Sequence, residues 1–212
     1  MIVGIMSDCH LGERRFRKQV SQQNMFKLQN YQCFEEGLKV LESTDMILIP
    51  GDLFDAPDPN VDAIIVARKL FDAGKPVYVL GGNHDFSKLA ESNGYHCFDA
   101  LRDSSKSVSF VTEYSMMELD EKTDLFMLPY GQMTPENFAL MNRARKQGKR
   151  NILMIHGYVD TGSKGEGDEI YGLPKSVAKH FSLIVCGHIH LPNLSGPEQG
   201  FKGTKVLTAE ML

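Results

Sequence analysis

The amino-acid sequence predicts an α/β fold in which sheets and helices form layers. Short apolar runs alternate with segments in which apolar residues recur every three or four positions, as they do on one face of a helix. The apolar runs end next to glycine or proline, which is typical of short buried strands. The middle of the chain carries several strand-like segments in succession, and these indicate a second sheet. We therefore expect a core of two packed sheets flanked by helices.

The first half of the chain alternates predicted strands with predicted helices. The strands are 1–7, 46–50 and 76–83. The helices are 26–43, 62–74 and 87–101. The second helix is expected to end at Gly74, because glycine readily adopts the left-handed conformation that ends a helix. Gly94 interrupts the third helix.

The second half begins with three strand-like segments, "SVSFVTEY", "SMMELD" and "DLFMLPY", which we expect to pair in antiparallel fashion. A helix is predicted at 135–149 and strands at 150–157, 181–190 and 204–212. The irregular stretch 159–174 is predicted to be a mobile loop. No linker rich in proline, glycine or serine divides the chain, so we expect residues 1–212 to form a single domain.

Composition limits the classes of function. The 212 residues carry 23 basic and 27 acidic side chains, a net charge of −4, so any binding of nucleic acid must come from local patches or bound cations. No apolar run approaches 18 residues, and Asp8 comes too early for a signal peptide, so we expect no membrane span and no export. The four cysteines are far apart and indicate reduced thiols in a cytoplasmic protein.

Polar side chains that can bind metal ions, all of them Asp, Asn or His, lie where the predicted strands end. They are Asp8, His10, Asp52, Asn83, His84, Asp85, His156, His188 and His190. Five of the seven histidines are in this group. Ligands of α/β sheets bind at the carboxyl ends of the strands, and packing alone gives no reason for imidazoles and carboxylates to collect there.

The mixture of Asp, Asn and His favours Mn²⁺, Fe or Zn²⁺ over a thiolate site. Residues two apart share one side of a strand, so Asp8 and His10 can face the same site, and His188 and His190 can do likewise.

The blocks SDCH, GDLFD, GGNHD, IHG and GHIH occur in this order, and with them the chain resembles the calcineurin-like metallophosphoesterase superfamily. The resemblance implies a four-layer α/β/β/α sandwich and two divalent metal ions, with Mn²⁺ as the predicted metal and Fe, Zn²⁺ or Mg²⁺ as alternatives. It implies that Asp8, His10 and His190 bind the first ion. Asn83, His156 and His188 would bind the second, and Asp52 would bridge both. His84 would be the catalytic acid, positioned by Asp85.

Within the superfamily, the chain looks most like the SbcD-type DNA repair nucleases. The stretches "HLG", "LIPGDLFDAPDPN" and "LPKSVAKHFSLIVCGHIH" carry this resemblance. It implies a Mn²⁺-dependent DNA exonuclease or endonuclease. Only about 20 residues follow the last block, so we expect the cap domain and C-terminal tail of that family to be lacking. The sequence leaves open a requirement for an ATPase partner and the formation of a homodimer.

The cations that follow the first block bear on the substrate. Arg14, Arg15 and Arg17 could contact phosphates next to the scissile one, and the alternative is a solvated charged loop. We expect single-stranded or frayed DNA to be the substrate. The alternative function is a phosphatase or phosphodiesterase acting on a nucleotide or phosphoprotein, because the chemistry is the same. A metal-free scaffold is disfavoured, since every ligand position holds a competent residue.

Overall fold

The computed structural model describes residues 1–12, 20–86, 97–102, 105–159, 172–188, 193–195 and 205–208. Within these ranges the strands are β1 (Val3–Ile5), β2 (Met46–Ile49), β3 (Val77–Leu80), β4 (Val108–Val111), β5 (Ser115–Asp120), β6 (Thr123–Leu128), β7 (Arg150–His156), β8 (Tyr158–Val159), β9 (Gly172–Leu173), β10 (Leu183–Gly187), β11 (Asn193–Ser195) and β12 (Lys205–Thr208). The α-helices are α1 (Val20–Val40), α2 (Val61–Ala67), α3 (Asp99–Arg102), α4 (Pro135–Ala144) and α5 (Lys175–Ala178).

The first sheet contains β1, β2, β3 and β4 in that order, all parallel. Alternate residues of its strands face the helices. Ile47 and Val79, for example, pack in one buried cluster with Phe34 of α1 and Ala67 of α2. α2 continues into a 3₁₀ helix, Arg68–Ala73, which ends as expected at Gly74 with a left-handed φ of 66°.

The second sheet has the order β11-β12-β10-β7-β6-β5. Its central strands are parallel, while the edge strands β5 and β11 run antiparallel to their neighbours. One face of this sheet packs against α4 and α5, in a cluster that joins Phe126 and Ile155 to Met141 and Ala178.

The two sheets pack against each other through a separate apolar layer. Its buried members are Met46, Leu48, Leu80, Val111, Leu125, Met127 and Met154, drawn from both sheets. These residues alternate along the strands with the ones that face the helices, as the period of two in a strand requires. The layers therefore follow the order α/β/β/α, which confirms the predicted fold class.

Some element boundaries differ from prediction. α1 begins at Val20 rather than residue 26, because its polar first turns give no apolar periodicity. β4 pairs with β3 in the first sheet, in parallel, so only β5 and β6 form the expected antiparallel hairpin. α4 ends at Ala144, and Gly148, with a φ of 87°, turns the chain into β7.

Two other predictions concern the environment of the chain. All four cysteines lie in the described ranges and are free thiols, as predicted. Among the described helices, none combines the length and the hydropathy needed to cross a bilayer.

Most of the predicted helix 87–101 and of the predicted loop 159–174 lies outside the described residues.

Replacing Leu125 with alanine should lower the free energy of unfolding by about 2–5 kcal/mol, because Leu125 is fully buried between the sheets and its loss leaves a cavity. Urea denaturation in the presence of EDTA measures the change. Val61→Ala is the matched control, since Val61 is 71% exposed on α2 and its truncation should change stability by less than about 0.5 kcal/mol. Equal effects of the two substitutions would contradict the assignment of this layer as core.

Candidate metal centre

The site lies where the carboxyl ends of strands from both sheets meet. β1, β2 and β3 lead into Asp8, Asp52 and Asn83. In the other sheet, β7 ends at His156 and β10 leads into His188. The backbone joins the strand ends directly. Amide-to-carbonyl hydrogen bonds run from Asp8 to Gly51 (3.2 Å), from His10 to Asp52 (3.0 Å), from Tyr130 to Gly81 (2.9 Å) and from Gly157 to Gly187 (3.2 Å).

Four predicted ligands have an unusual backbone. The φ values are 52° at Asp8, 44° at His10, 50° at Asp52 and 90° at His188, and no other non-glycine residue in the described ranges has a positive φ. Such conformations cost about 1–3 kcal/mol each and tend to occur at functional sites. We predicted Asp8 and His10 to share one side of an extended strand, but the structure directs both side chains by left-handed turns beyond β1.

The carboxylate of Asp52 lies at the centre of the site. Its Oδ2 is 3.4 Å from Nε2 of His156 and 3.8 Å from Nε2 of His10, and its Oδ1 accepts a hydrogen bond from the backbone N–H of His84 (2.9 Å). Burial acts to raise the pKa of Asp52, but the hydrogen bond with His156 and the charges of His156 and His10 outweigh it and lower the pKa to about 2. Asp52 is therefore ionised at neutral pH.

The side-chain amide oxygen of Asn83 lies close to two imidazoles of the second sheet. Oδ1 of Asn83 lies 2.8 Å from Nε2 of His156 and 3.0 Å from Nδ1 of His188. Nδ1 of His156 donates to the carbonyl of Pro50 (2.9 Å), which leaves its Nε2 as the ring nitrogen for a ligand. This arrangement is typical of metal-binding histidines, whose other nitrogen is fixed by a hydrogen bond.

The ligands of the first sheet are held in a similar way. Nδ1 of His10 is 3.3 Å from Oδ1 of Asp55, and its Nε2 faces Asp52. Asp8 accepts hydrogen bonds from the Ser7 hydroxyl (2.6 Å) and from the backbone N–H of His188 (2.9 Å). The described residues contain two groups of candidate ligand atoms that lie within 4.8 Å of one another, His10 with Asp52 and His84, and Asp8 with Asp52 and His156. Each group combines imidazole with carboxylate and both include Asp52, so these residues fit a pair of divalent cations.

His84 differs from the other imidazoles because its side chain is 42% exposed. Its Nδ1 lies 2.9 Å from the carbonyl oxygen of Asp55, and its ring meets the ring of His10 edge to face, with centroids 4.7 Å apart. It is the most exposed member of the candidate group that it forms with His10 and Asp52.

Asp85 has partners other than the ring of His84. Its buried carboxylate accepts hydrogen bonds from the backbone N–H groups of Gly82 (2.8 Å), Phe54 (2.9 Å) and Leu53 (3.3 Å). Burial and the neighbouring charge of Asp52 raise the pKa of Asp85 to about 7. Asp85 thus joins the turn after β2 to the turn after β3, and Asp55 is the carboxylate that contacts His84.

Two glycines are required by close approach. A Cβ atom at Gly82 would overlap the carboxylate of Asp52. A Cβ atom at Gly51, where φ is 105°, would overlap the ring of His156. Side chains at either position would displace the carboxylate or the imidazole from the centre of the site.

The structure brings together seven of the predicted metal-binding and catalytic residues around Asp52 and Asn83: Asp8, His10, Asp52, Asn83, His84, His156 and His188. His190 and the three arginines, Arg14, Arg15 and Arg17, lie outside the described residues, and their roles stay predictions. Sequence reasoning missed Asp55 and Ser7. The second aspartate of the GDLFD block was the available signal for Asp55.

The fold and the site define a metallophosphoesterase. The family model for calcineurin-like phosphoesterase matches residues 1–192, so the chain belongs to that family. Calcineurin-like phosphoesterases are hydrolases of phosphoester bonds that use two divalent metal ions, and the described residues contain candidate ligands for both.

Curated relatives include DNA repair proteins. The chain is 29% identical to the DNA double-strand break repair protein Mre11 of Sulfurisphaera tokodaii, over 87% of this chain and 48% of that protein. It is 26% identical to the SbcD component of the nuclease SbcCD of Staphylococcus saprophyticus, over 88% of this chain and 55% of the relative. The chain thus spans about half the length of these relatives. Purple acid phosphatase PPD1 of yellow lupin has the same fold (TM-score 0.56, 13% identity, covering 98% of this chain and 43% of the phosphatase).

Thermal stabilisation by Mn²⁺ should increase as the pH rises from about 5.5 to 8. Burial acts to lower the pKa values of His10 and His156, but hydrogen bonds and charges of the surrounding aspartates outweigh it and raise both. A protonated imidazole cannot bind a metal ion, so ion binding competes with protons in this range. In EDTA, the charged imidazoles stabilise the metal-free fold below their ordinary pKa, and that contribution is lost as the pH rises through the raised values. Tm measured with EDTA and with MnCl₂ at several pH values checks this, and a pH-independent increment would contradict it.

Asp52→Asn should weaken the binding of both ions, because one carboxylate serves both ligand sets. The metal content per chain, measured by elemental analysis after desalting, should fall from two well below one. Asp72→Asn provides the matched control, since Asp72 is exposed on the 3₁₀ helix after α2 and its substitution should leave the metal content at two. Full occupancy of both sites in Asp52→Asn would refute the bridging role.

Proposed function

We propose that this protein hydrolyses phosphodiester bonds of DNA as a Mn²⁺-dependent exonuclease or endonuclease of the SbcD type. The observation that carries the proposal is the Asp52 carboxylate, which lies between an imidazole of each sheet while the exposed His84 stands beside it. The names of the relatives, a DNA double-strand break repair protein and a component of a nuclease, support DNA as the substrate.

Each proposed set takes ligands from both sheets. Asp8, His10 and His190 would hold one ion, Asn83, His156 and His188 would hold the other, and Asp52 would hold both. When bound, the two ions supply Lewis-acid chemistry, activating water and neutralising the phosphate oxygens. We propose that the chain forms a single domain, that its location is cytoplasmic, in keeping with four free thiols, and that Arg14, Arg15 and Arg17 contact the phosphates of single-stranded or frayed DNA.

In this proposal His84 gives a proton to the leaving oxygen. Its Nδ1–H donates to the carbonyl of Asp55, which fixes the ring and leaves Nε2 to face the substrate. The carboxylate of Asp55 lies near the rings of both His84 and His10, so it helps to hold both rings in their present orientation. Asp85 holds the turns that carry Asp52 and His84 at a fixed separation through its three backbone hydrogen bonds.

His84→Gln should reduce kcat on a single-stranded oligonucleotide by roughly 10²- to 10⁴-fold, the usual contribution of a general acid. The metal content should remain at two. The loss should be much smaller on bis(p-nitrophenyl) phosphate, because p-nitrophenolate needs no proton to leave. Steady-state kinetics with Mn²⁺ on both substrates measure the two effects.

His180→Gln is the control, because His180 is an exposed imidazole next to Lys179 and Arg145, outside the ligand sets. It should cleave both substrates at the parental rate. An equal loss on both substrates in His84→Gln would mean that His84 supports the metal site rather than the leaving group. Rapid hydrolysis of a nucleotide or a phosphopeptide with no cleavage of any DNA would favour the phosphatase or phosphodiesterase alternative.

A further inference from the structure

Phe86 and Tyr130 form an aromatic surface next to His156, one of the proposed metal ligands. The centroids of the two rings are 6.0 Å apart, and their planes are inclined by 36°. The ring of Tyr130 meets the ring of His156 edge to face, with centroids 6.5 Å apart. Neither residue has a role in the proposed chemistry. Each is only half-buried, although it is a large aromatic group at the edge of a polar site.

Both rings are fixed to the same turn. The backbone N–H of Tyr130 donates to the carbonyl of Gly81 at the end of β3. The ring of Phe86 covers Gly81 at the place that a side chain at that position would occupy. Asn83 and His84 lie between Gly81 and Phe86, so the turn that carries the aromatic surface also carries a proposed ligand and the proposed acid. The aromatic surface is thus held at a fixed position relative to Asn83 and His84.

A nucleobase is the part of a nucleotide substrate that such a surface can bind. Every base has a π-face, so stacking on an aromatic ring is strong and largely independent of sequence. The chain carries a net charge of −4, so general attraction to a polyanion contributes little to binding. Stacking beside the metal centre would supply affinity that does not depend on overall charge.

We propose that Phe86 and Tyr130 bind by stacking the base of the nucleotide next to the scissile phosphate. The inference rests on the proposed function and narrows its substrate class to diesters that carry a nucleobase. In this proposal, the two rings make the protein prefer phosphodiesters that carry a nucleobase over phosphodiesters that lack one.

The test uses two diesters with the same leaving group. One is the p-nitrophenyl ester of thymidine 5′-phosphate, and the other is the same ester of the abasic 1,2-dideoxyribose 5′-phosphate. With Mn²⁺, the parental protein should show a KM for the thymidine ester roughly 5- to 150-fold below that for the abasic ester, the usual range for one stacked base. In Phe86→Leu and in Tyr130→Leu the KM ratio should move towards one.

Matched variants separate stacking from structural support. Tyr130→Phe keeps the ring and should retain the KM ratio. Phe71→Leu makes the same substitution at a half-buried ring on the 3₁₀ helix after α2 and should also retain it. The leucine variants keep apolar volume, and a Tm in MnCl₂ within a few degrees of the parent shows that they fold. A residue with only a structural role would raise KM for both esters and leave the ratio unchanged.

Two results would overturn the proposals, and they are distinct. Equal KM values for the two esters in the parental protein, or a ratio that persists in both leucine variants, would refute base stacking and leave the nuclease proposal intact. Hydrolysis of p-nitrophenyl phosphate with neither diester cleaved would refute the proposed phosphodiesterase function itself.

Discussion

The site depends on a single buried carboxylate shared by two imidazoles. Asp52 is 1% exposed, and its Oδ2 lies within 4 Å of Nε2 atoms from both His10 and His156. An ionised carboxylate buried to this degree is stable only when positive charge or hydrogen-bond donors surround it. The two imidazoles, the N–H of His84 and the room left by Gly82 satisfy that condition. The geometry of the rest of the edge follows from positioning these groups around one charge.

The contacts of the centre cross from one sheet to the other. Asn83 meets His156 and His188, the carbonyl of Pro50 meets His156, and Asp8 accepts from the backbone of His188. The strain of four left-handed non-glycine residues lies in the same region. Apolar side chains are buried between the two sheets and between each sheet and its helices. This burial supplies the stability that maintains the strained conformations.

Much of this arrangement could be predicted from the sequence. Apolar runs that end in glycine and are followed by Asp, Asn or His mark the strand ends, and parallel strands bring those ends to one edge. The pairing of Asp55 with His84 could not be predicted, because Asp85 is adjacent in sequence and the turn direction is set by tertiary contacts. The left-handed φ values at Asp8 and His10 could not be predicted either. The alternation of side chains between the two faces of a sheet holds only within a strand, and both residues lie beyond the end of β1. The placement of β4 beside β3 depends on a crossover that local pattern does not encode.

The layer between the sheets has a consequence for the metal centre. Three of its seven buried side chains are Met46, Met127 and Met154, and methionine is the most deformable of the apolar residues. Because His10 belongs to one sheet and His156 to the other, the thickness of this layer affects how far the ligands of one sheet lie from those of the other. The apolar layer between the sheets therefore acts as a spacer. A change of side-chain volume in this layer would alter the distances between ligands of the two sheets, although no ligand itself is replaced.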